Sequence, residues 1–368
     1  MAGENYGRRE APRRFRRGRV LALTALAAVA VTVAALPVLR AAGGGQAAAQ
    51  TLAACSGQHQ RNCLPAASVS SSASVPAPVA AAATSAPAGT AKGVGQYITL
   101  GTPVQPIPQP STKVPFAQYR EMHANCTVVK QAADDPLVFP GLPGASHLHT
   151  FVGNTAPSAS STPESLRTSG ASSCEDAKDT ASYWFPTLLQ NGKPVPNTTV
   201  TFYYKSGVKD YRTVRPFPAG FRELVGDMKT PDAASFGGEW DCGNPGGTTK
   251  EIPASCPKGH VLIVRYMAPS CWDGTHLDTP DHKSHLAYPV KGACPADHPV
   301  AVPMLQSKVA YKLTDGVTRG LAFSSGPSFS FHYDFMNGWP QARLEELVKH
   351  CINGGRQCNG YGVDEHKL

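Results

Sequence analysis

From about Phe116 onwards, the hydrophobic pattern of the chain is that of short β-strands separated by turns. Runs of aromatic and β-branched residues favour strands, because these side chains pack well on a pleated surface. Glycine and proline, with 35 and 33 copies, supply many turns between the runs. The segments that fit strands best are Ser182–Leu189, Thr198–Lys205, His260–Met267, Pro299–Leu313 and Gly326–Phe335.

One amphipathic helix is predicted near the C-terminus, over Pro340–Cys351. Leu344, Leu347 and Val348 fall on one stripe of this segment, and a diglycine follows at 354–355. Proline suits the first helical position and glycine ends a helix. Many short strands with one helix predict a mostly β protein: a β-sandwich or jelly-roll-like single domain with long disulfide-stapled loops and a C-terminal helix.

The first 49 residues have the pattern of an export segment. Residues 8–19 carry seven arginines, an apolar run of about 20 residues extends from Val20 to Leu39, and small residues follow up to Ala49. These are the parts of a secretory signal. The apolar run is also long enough for an uncleaved membrane anchor. In both cases the rest of the chain is expected outside the cell or at its surface, with membrane contact only through this segment.

Residues 50–115 are low in complexity and rich in alanine, proline and serine. Such a segment cannot bury enough apolar surface to offset its ordering entropy, so we predict a disordered linker. The globular domain is then expected to span residues 116–368.

The charge distribution argues against nucleic acid as a partner. The net charge is +8, but residues 1–49 hold eight arginines and two glutamates, which leaves 26 basic and 24 acidic residues in the rest. A nearly balanced domain lacks the basic face that nucleic-acid binding requires.

All ten cysteines lie after the apolar run. An even number in an exported chain predicts five disulfides. The sequence leaves their connectivity open, and pairing of nearest neighbours would give Cys55–Cys63, Cys126–Cys174, Cys242–Cys256, Cys271–Cys294 and Cys351–Cys358. No CxxC motif is present to favour zinc ligation by these cysteines.

Candidate chemistry is concentrated in three histidine-containing stretches. In the first, His147 and His149 would point to one side of an extended strand, and two imidazoles on one face form half of many metal sites. In the third, the strand pattern FSFHYDF places His332 and Asp334 together on a polar face. The alternative for both stretches is a polar face exposed to solvent.

The second stretch runs from Cys271 to Pro289 and is dense in aspartate and histidine. A loop that holds carboxylates and imidazoles together can bind a divalent ion or transfer protons. We expect His285 to join His147 and His149 as metal ligands, and the acid–base or supporting groups to be Asp281, His282, His332 and Asp334. The alternative is a charged surface loop with internal hydrogen bonds.

Exposed aromatic rings could stack on sugar rings, and the candidates are Trp184, Trp272 and Tyr288, with core packing as the alternative. The chain has no P-loop, no GxGxxG, no GxSxG and no HExxH motif, which excludes several common enzyme classes.

Six stretches carry a family resemblance: PGLPGASHLHTFVGN (140–154), SYWFPTL (182–188), FPAGFRELVGD (217–227), SCWDGTHLDTPDHKSHLAYP (270–289), CPADHPVAVPML (294–305) and FHYDFMNGW (331–339). On these the chain resembles DUF1996, a family of secreted bacterial and fungal proteins defined by a domain of unknown function. The resemblance implies an extracellular location and supports the domain boundaries, but it implies no activity.

Taken together, these features favour a secreted or surface-tethered, metal-assisted enzyme that acts on extracellular polysaccharide or cell-wall glycan, with a divalent ion as cofactor. A non-catalytic glycan- or metal-binding module and a structural envelope protein are the alternatives. The substrate, the metal and the oligomeric state are left open by the sequence.

Overall fold

The structure is a computed structural model that describes residues 120–243 and 247–365. The predicted export segment, the predicted linker and the expected Cys55–Cys63 pair lie outside the described residues. The strands in chain order are β1 (Glu121–Cys126), β2 (Val128–Ala132), β3 (His149–Gly153), β4 (Ser182–Pro186), β5 (Leu188–Gln190), β6 (Lys193–Pro194), β7 (Asn197–Ser206), β8 (Arg222–Gly226), β9 (Glu239–Asp241), β10 (Leu262–Met267), β11 (Cys271–Trp272), β12 (Leu286–Ala287), β13 (Val300–Ala301), β14 (Pro303–Tyr311), β15 (Leu321–Phe323), β16 (His332–Met336) and β17 (Gln357–Cys358).

Two sheets make up most of the fold, which confirms the prediction of a mostly β protein. A six-stranded sheet has the order β17-β1-β7-β14-β10-β9, and a five-stranded sheet has the order β2-β3-β4-β16-β8. Two smaller sheets, β12-β11-β13 and β15-β5-β6, form in the connections. The neighbouring strands of the two large sheets are antiparallel except β1 and β17.

The two large sheets pack face to face as a β-sandwich. Tyr183 of β4 stacks on Phe202 of β7, with ring centroids 4.3 Å apart. The hydroxyl of Tyr333 in β16 donates to the carbonyl oxygen of Leu305 in β14 at 3.1 Å. Large aromatic residues therefore fill the space between the sheets, as their alternation along the sequence predicts.

The outer face of the five-stranded sheet is also buried, because loops and a short helix cover it. Phe151 of β3, Trp184 of β4 and Met336 of β16 form a second, smaller core there. Leu137 from the loop after β2 and Leu166 from helix α1 (Pro163–Thr168) pack onto them. Every residue of β3, β4 and β16 is consequently buried.

Four disulfides staple the loops, and all four follow the nearest-neighbour pairing. They join Cys126 to Cys174, Cys242 to Cys256, Cys271 to Cys294 and Cys351 to Cys358. The predicted C-terminal helix is also confirmed. It consists of α2 (Gln341–Leu347) and a π-helical continuation over Val348–Ile352. No helix within the described parts of the chain is long and apolar enough to cross a bilayer.

Glu223 of β8 points into the sandwich core, opposite Phe335 of β16. It is fully buried, and neither carboxylate oxygen has a hydrogen-bond partner among the described residues. Burial raises the pKa of Glu223 well above its usual value, so the neutral acid is the favoured form in the folded protein.

We therefore expect Glu223→Gln to stabilise the protein at pH 8 by about 1–3 kcal/mol and to have little effect near pH 4. A raised pKa means that the stability contributed by Glu223 is complete below the unfolded-state pKa and is lost as pH rises towards the folded-state pKa. Guanidinium unfolding of the oxidised protein at the two pH values measures this. Glu345→Gln, at an exposed position of α2, is the control, and an equal gain at both pH values would contradict the explanation.

Candidate metal centre

Three histidines converge on the buried outer face of the five-stranded sheet. His149 of β3 pairs with Pro186 of β4. On the other side of β4, Asp334 of β16 pairs with Trp184, and the same antiparallel register, extended by two residues, places His332 beside Pro186. His147 precedes β3 and reaches the same place. The ring centroid of His147 is 4.2 Å from that of His149 and 5.1 Å from that of His332. One ring nitrogen of each histidine lies within 4.8 Å of the others.

The tautomers of two of these histidines are fixed by backbone carbonyls. His149 Nδ1 lies 3.0 Å from the carbonyl oxygen of Asp134, and His332 Nδ1 lies 2.9 Å from that of Ser330. A carbonyl can only accept, so each Nδ1 carries the proton and each Nε2 keeps its lone pair. Metal-bound histidines are commonly oriented in this way by an outer hydrogen bond.

Two ring nitrogens of this cluster lack partners among the described residues. His147 Nε2 and His149 Nε2 are buried and form no hydrogen bond with any described residue. Burial lowers the pKa of His147 and of His332 to about 4, and it lowers the pKa of His149 well below the usual value. At neutral pH all three imidazoles are therefore uncharged, which is the form that binds a metal ion.

Two buried carboxyl groups border the histidines. A ligand atom of Asp135, one of His149 and one of Asp334 also lie within 4.8 Å of one another. Asp135 accepts hydrogen bonds from the backbone N–H groups of Leu137 and Val138, whereas neither oxygen of Asp334 has a partner among the described residues. Burial raises the pKa of both aspartates, and the nearby Asp135 raises that of Asp334 further. We define the metal cluster as His147, His149, His332, Asp135 and Asp334.

The loop closed by Cys271–Cys294 docks on β8, the edge strand of the same sheet. The backbone N–H of Arg222 donates to the carbonyl of Leu277, and that of Leu224 donates to the carbonyl of His282. His285 Nε2 donates to the carbonyl of Arg222 at 2.8 Å. These bonds satisfy the exposed edge of β8 and hold residues 277–285 beside the metal cluster.

His285 is not one of the converging histidines. Its Nε2 is bonded to Arg222, and its Nδ1 lies 3.0 Å from Thr279 Oγ1, so both ring nitrogens are engaged in bracing the loop. The third histidine beside His147 and His149 is His332, which the sequence placed among the acid–base groups. We correct the expected ligand set accordingly.

His282 forms a buried pair that the sequence analysis missed. Its Nδ1 lies 2.7 Å from Asp278 Oδ1, and Asp278 is only 1% exposed. Arg222 Nη1 lies 3.6 Å from the other oxygen of Asp278. The carboxylate orients the imidazole, and the backbone carbonyl of His282 accepts from the N–H of Leu224, which holds this pair at the edge of the same sheet.

Asp281 caps its own loop and does not face the metal cluster as an acid or base. Its Oδ1 accepts from the backbone N–H and hydroxyl of Ser284 and from the Thr279 hydroxyl. Partial burial opposes ionisation, but these hydrogen bonds outweigh it and lower the pKa of Asp281 well below its usual range. The carboxyl group of Asp281 is therefore ionised, and its hydrogen bonds stabilise the turn.

Of the three aromatic residues expected to stack on sugars, two are core residues. Trp184 is fully buried against Phe151, and Trp272 is 2% exposed, with its indole N–H donating to the carbonyl of His276. Neither ring has a face free for a ligand. Tyr288 is 54% exposed and holds its position through a hydroxyl bond to the carbonyl of Met267.

The comparisons with known proteins identify the family. A family model described as a domain of unknown function, DUF1996, matches residues 135–339, which is more than half of the chain. The chain belongs to the DUF1996 family. No curated protein and no solved structure matches it. The matched span of the DUF1996 domain includes every residue of the metal cluster as well as Asp278 and His282.

The DUF1996 domain also has an open cleft of about 410 Å³ along β8, which we name the β8 cleft. Leu224 and Gly226 of β8 form one wall. Gly226 has φ +91°, and a Cβ at this position would lie 2.9 Å from the carbonyl oxygen of Phe331 and 3.1 Å from His332 Cα. Glycine is therefore required for β8 to approach the strand that carries His332.

Two functional candidates in this DUF1996 domain gave only weak sequence signals. Asp135 lies in a turn twelve residues before His147, and no periodicity connects it to the histidines. Asp278 lies four residues before His282 in an irregular loop, so its pairing depends on the loop conformation. Asp278 lies within the histidine- and aspartate-rich stretch Cys271–Pro289, whereas Asp135 lies outside all three candidate stretches.

Because His285 braces the loop on β8, we expect His285→Ala to lower the free energy of unfolding by about 1–3 kcal/mol. The substitution leaves the buried carbonyl of Arg222 without its donor. Thermal or guanidinium unfolding measures the loss, with His260→Ala at an exposed position as the control. Unchanged stability in the His285 variant would show that the brace is unimportant.

Proposed function

We propose that the protein is an exported metal-dependent enzyme that acts on extracellular polysaccharide, with His147, His149 and His332 as ligands of a divalent ion. The single observation that carries this proposal is the convergence of three uncharged imidazoles, two of which, His147 and His149, have buried Nε2 atoms with no partner among the described residues. Buried polar groups without partners are rare in folded proteins, and a bound ion would satisfy them.

The donor set favours a borderline transition ion such as Zn²⁺. Imidazole nitrogens suit zinc, copper, iron or nickel, whereas calcium and magnesium prefer oxygen ligands throughout. The carboxyl groups of Asp334 and Asp135 would balance the charge of a dication, and Asp334 has both oxygens free to do so. Burial raises the pKa of both carboxyl groups, and a bound cation would favour their ionised forms.

Export is supported by two features. The four disulfides fit an extracellular protein. The arginine-rich and apolar pattern of residues 1–49 supports passage across the membrane through a signal or an anchor.

A bound divalent ion would act as a Lewis acid on a substrate oxygen or lower the pKa of a bound water. The protein's own contribution to proton transfer is His282. Asp278 holds the Nδ1 proton of this imidazole, which leaves Nε2 to accept or return a proton. Arg222 Nη1 lies 3.6 Å from the other carboxylate oxygen of Asp278 and pairs with it.

Polysaccharide as the substrate is supported by the open form of the β8 cleft and by Tyr288 on its wall. A half-exposed aromatic ring at the edge of a polar cleft suits a sugar ring, which presents both C–H and hydroxyl groups. A non-catalytic metal-binding module is the second candidate, favoured by the deep burial of His149 and His332.

The metal site predicts near-stoichiometric zinc or another transition ion in protein purified from an oxidising compartment. Mass spectrometry of the metal content should show the ion lost after His149→Ala or His332→Ala and retained in His260→Ala. Removing the ion by chelation should lower the unfolding temperature, since a ligand at 1,000 times its Kd contributes about 4 kcal/mol. A folded protein without metal, and without affinity for added Zn²⁺, would refute the site.

Turnover tests the enzymatic part of the proposal. His282 has φ +58°, a conformation that asparagine tolerates, so His282→Asn removes the imidazole with little backbone strain. We expect release of reducing ends from extracellular polysaccharides to fall by about 10²–10⁴-fold with metal content unchanged. His260→Asn is the matched control. Metal-loaded protein that binds glycans but never cleaves them would favour the non-catalytic module.

A further inference from the structure

The β8 cleft runs along β8, the strand that pairs with the strand carrying His332 and Asp334. Gly226, which lines the cleft, pairs with His332 on β16, and Leu224, which also lines it, pairs with Asp334. The far wall comes from the other sheet and the disulfide-closed loop, through Tyr266 and Tyr288. A molecule in the cleft would therefore lie along the strand next to the one that carries His332 and Asp334.

Two lysines give this cleft a positive charge. Lys283 and Lys229 both line it, and neither ammonium group forms an ion pair with any residue that the structure describes. Asp227 is the acidic residue of the lining, and its Oδ1 accepts the backbone N–H of Lys229 within a turn. The lining thus carries two ammonium groups and one carboxylate, which gives it a net charge of +1.

Lys283 links the cleft to the loop that docks on β8. Lys283 lines the cleft and directly follows His282, whose carbonyl oxygen accepts the backbone N–H of Leu224, the β8 residue that pairs with Asp334. The backbone N–H of Lys283 is held by Asp281, whose carboxylate caps the turn. An anion that bound Lys283 would be held at this edge of the sheet.

An aromatic surface lies across the same cleft. Tyr288 exposes more than half of its surface, and its hydroxyl is tied to the carbonyl of Met267, so the ring is held in place. Tyr266 is half-buried and packs edge-on against Phe236, with ring centroids 5.5 Å apart. A fixed ring opposite unpaired ammonium groups matches a ligand that carries a sugar ring and a carboxylate.

We propose that the β8 cleft binds a uronic-acid unit of an acidic polysaccharide, with its carboxylate at Lys283 and Lys229 and its ring against Tyr288. This assignment of the substrate class rests on the proposed function. A neutral glucan would leave both ammonium groups without a partner, and the cleft should bind it more weakly for that reason.

Calorimetric titration of the full chain with hexagalacturonate and with maltohexaose tests this assignment. We expect binding of the acidic oligosaccharide that weakens with salt, and at least tenfold weaker binding of the neutral one. Lys283→Met and Tyr288→Ala should each weaken hexagalacturonate binding by about tenfold. Lys258→Met, at an exposed lysine elsewhere on the chain, is the control.

Metal content measured on the same samples separates this proposal from the previous one. Lys283→Met should retain the ion while it loses affinity for the uronate. Metal-loaded protein that binds both oligosaccharides equally, or binds neither, would overturn the uronate assignment and leave the metal site standing. Lysine-dependent uronate binding in metal-free protein would support the cleft and refute the metal site.

Discussion

The arrangement of this protein depends on burial of both faces of its five-stranded sheet. A sheet that exposes one face can carry polar side chains there at no cost, because water satisfies them. Here the outer face is covered by Leu137, Leu166 and the disulfide-closed loop, so His149 and Asp334 are removed from water. Burial lowers the pKa of His149 and raises the pKa of Asp334, so the neutral form of each group is favoured. Buried polar atoms of this kind are stable only when they have a hydrogen-bond or metal partner.

The disulfide loop connects this burial to chemistry. The edge of β8 would otherwise present unpaired backbone groups, and residues 277–285 satisfy them through hydrogen bonds to Arg222 and Leu224. The same docking holds His282 and Lys283 at the edge of the sheet, although both residues belong to the loop and neither belongs to a strand. The loop therefore completes the edge of the sheet and also supplies two groups of the proposed site, the proton-transferring imidazole of His282 and the ammonium group of Lys283.

The sequence predicted the scaffold better than the site. Aromatic and β-branched residues identified β7, and the alternation of FSFHYDF identified β16, because both patterns fit strands that pack on an aromatic core. His147, His149 and His332 were recognised as candidates for the same reason, since their faces follow from strand geometry. The role of His285 could not be predicted, because a loop has no period and the partners of its ring, Arg222 and Thr279, depend on how the loop docks.

Two carboxylic acids on neighbouring strands show why burial alone does not define a site. Glu223 of β8 and Asp334 of β16 are both fully buried and both lack hydrogen-bond partners among the described residues. Glu223 faces the aromatic interior, where burial raises its pKa and no described residue forms a hydrogen bond with its carboxyl group, so protonation is its simplest resolution. Asp334 faces the opposite side, where Nε2 lone pairs converge. A cation there would be a partner for both the Asp334 carboxylate and the Nε2 lone pairs. The outer face of the sheet, and not the core, is therefore the place where this fold could hold a functional site.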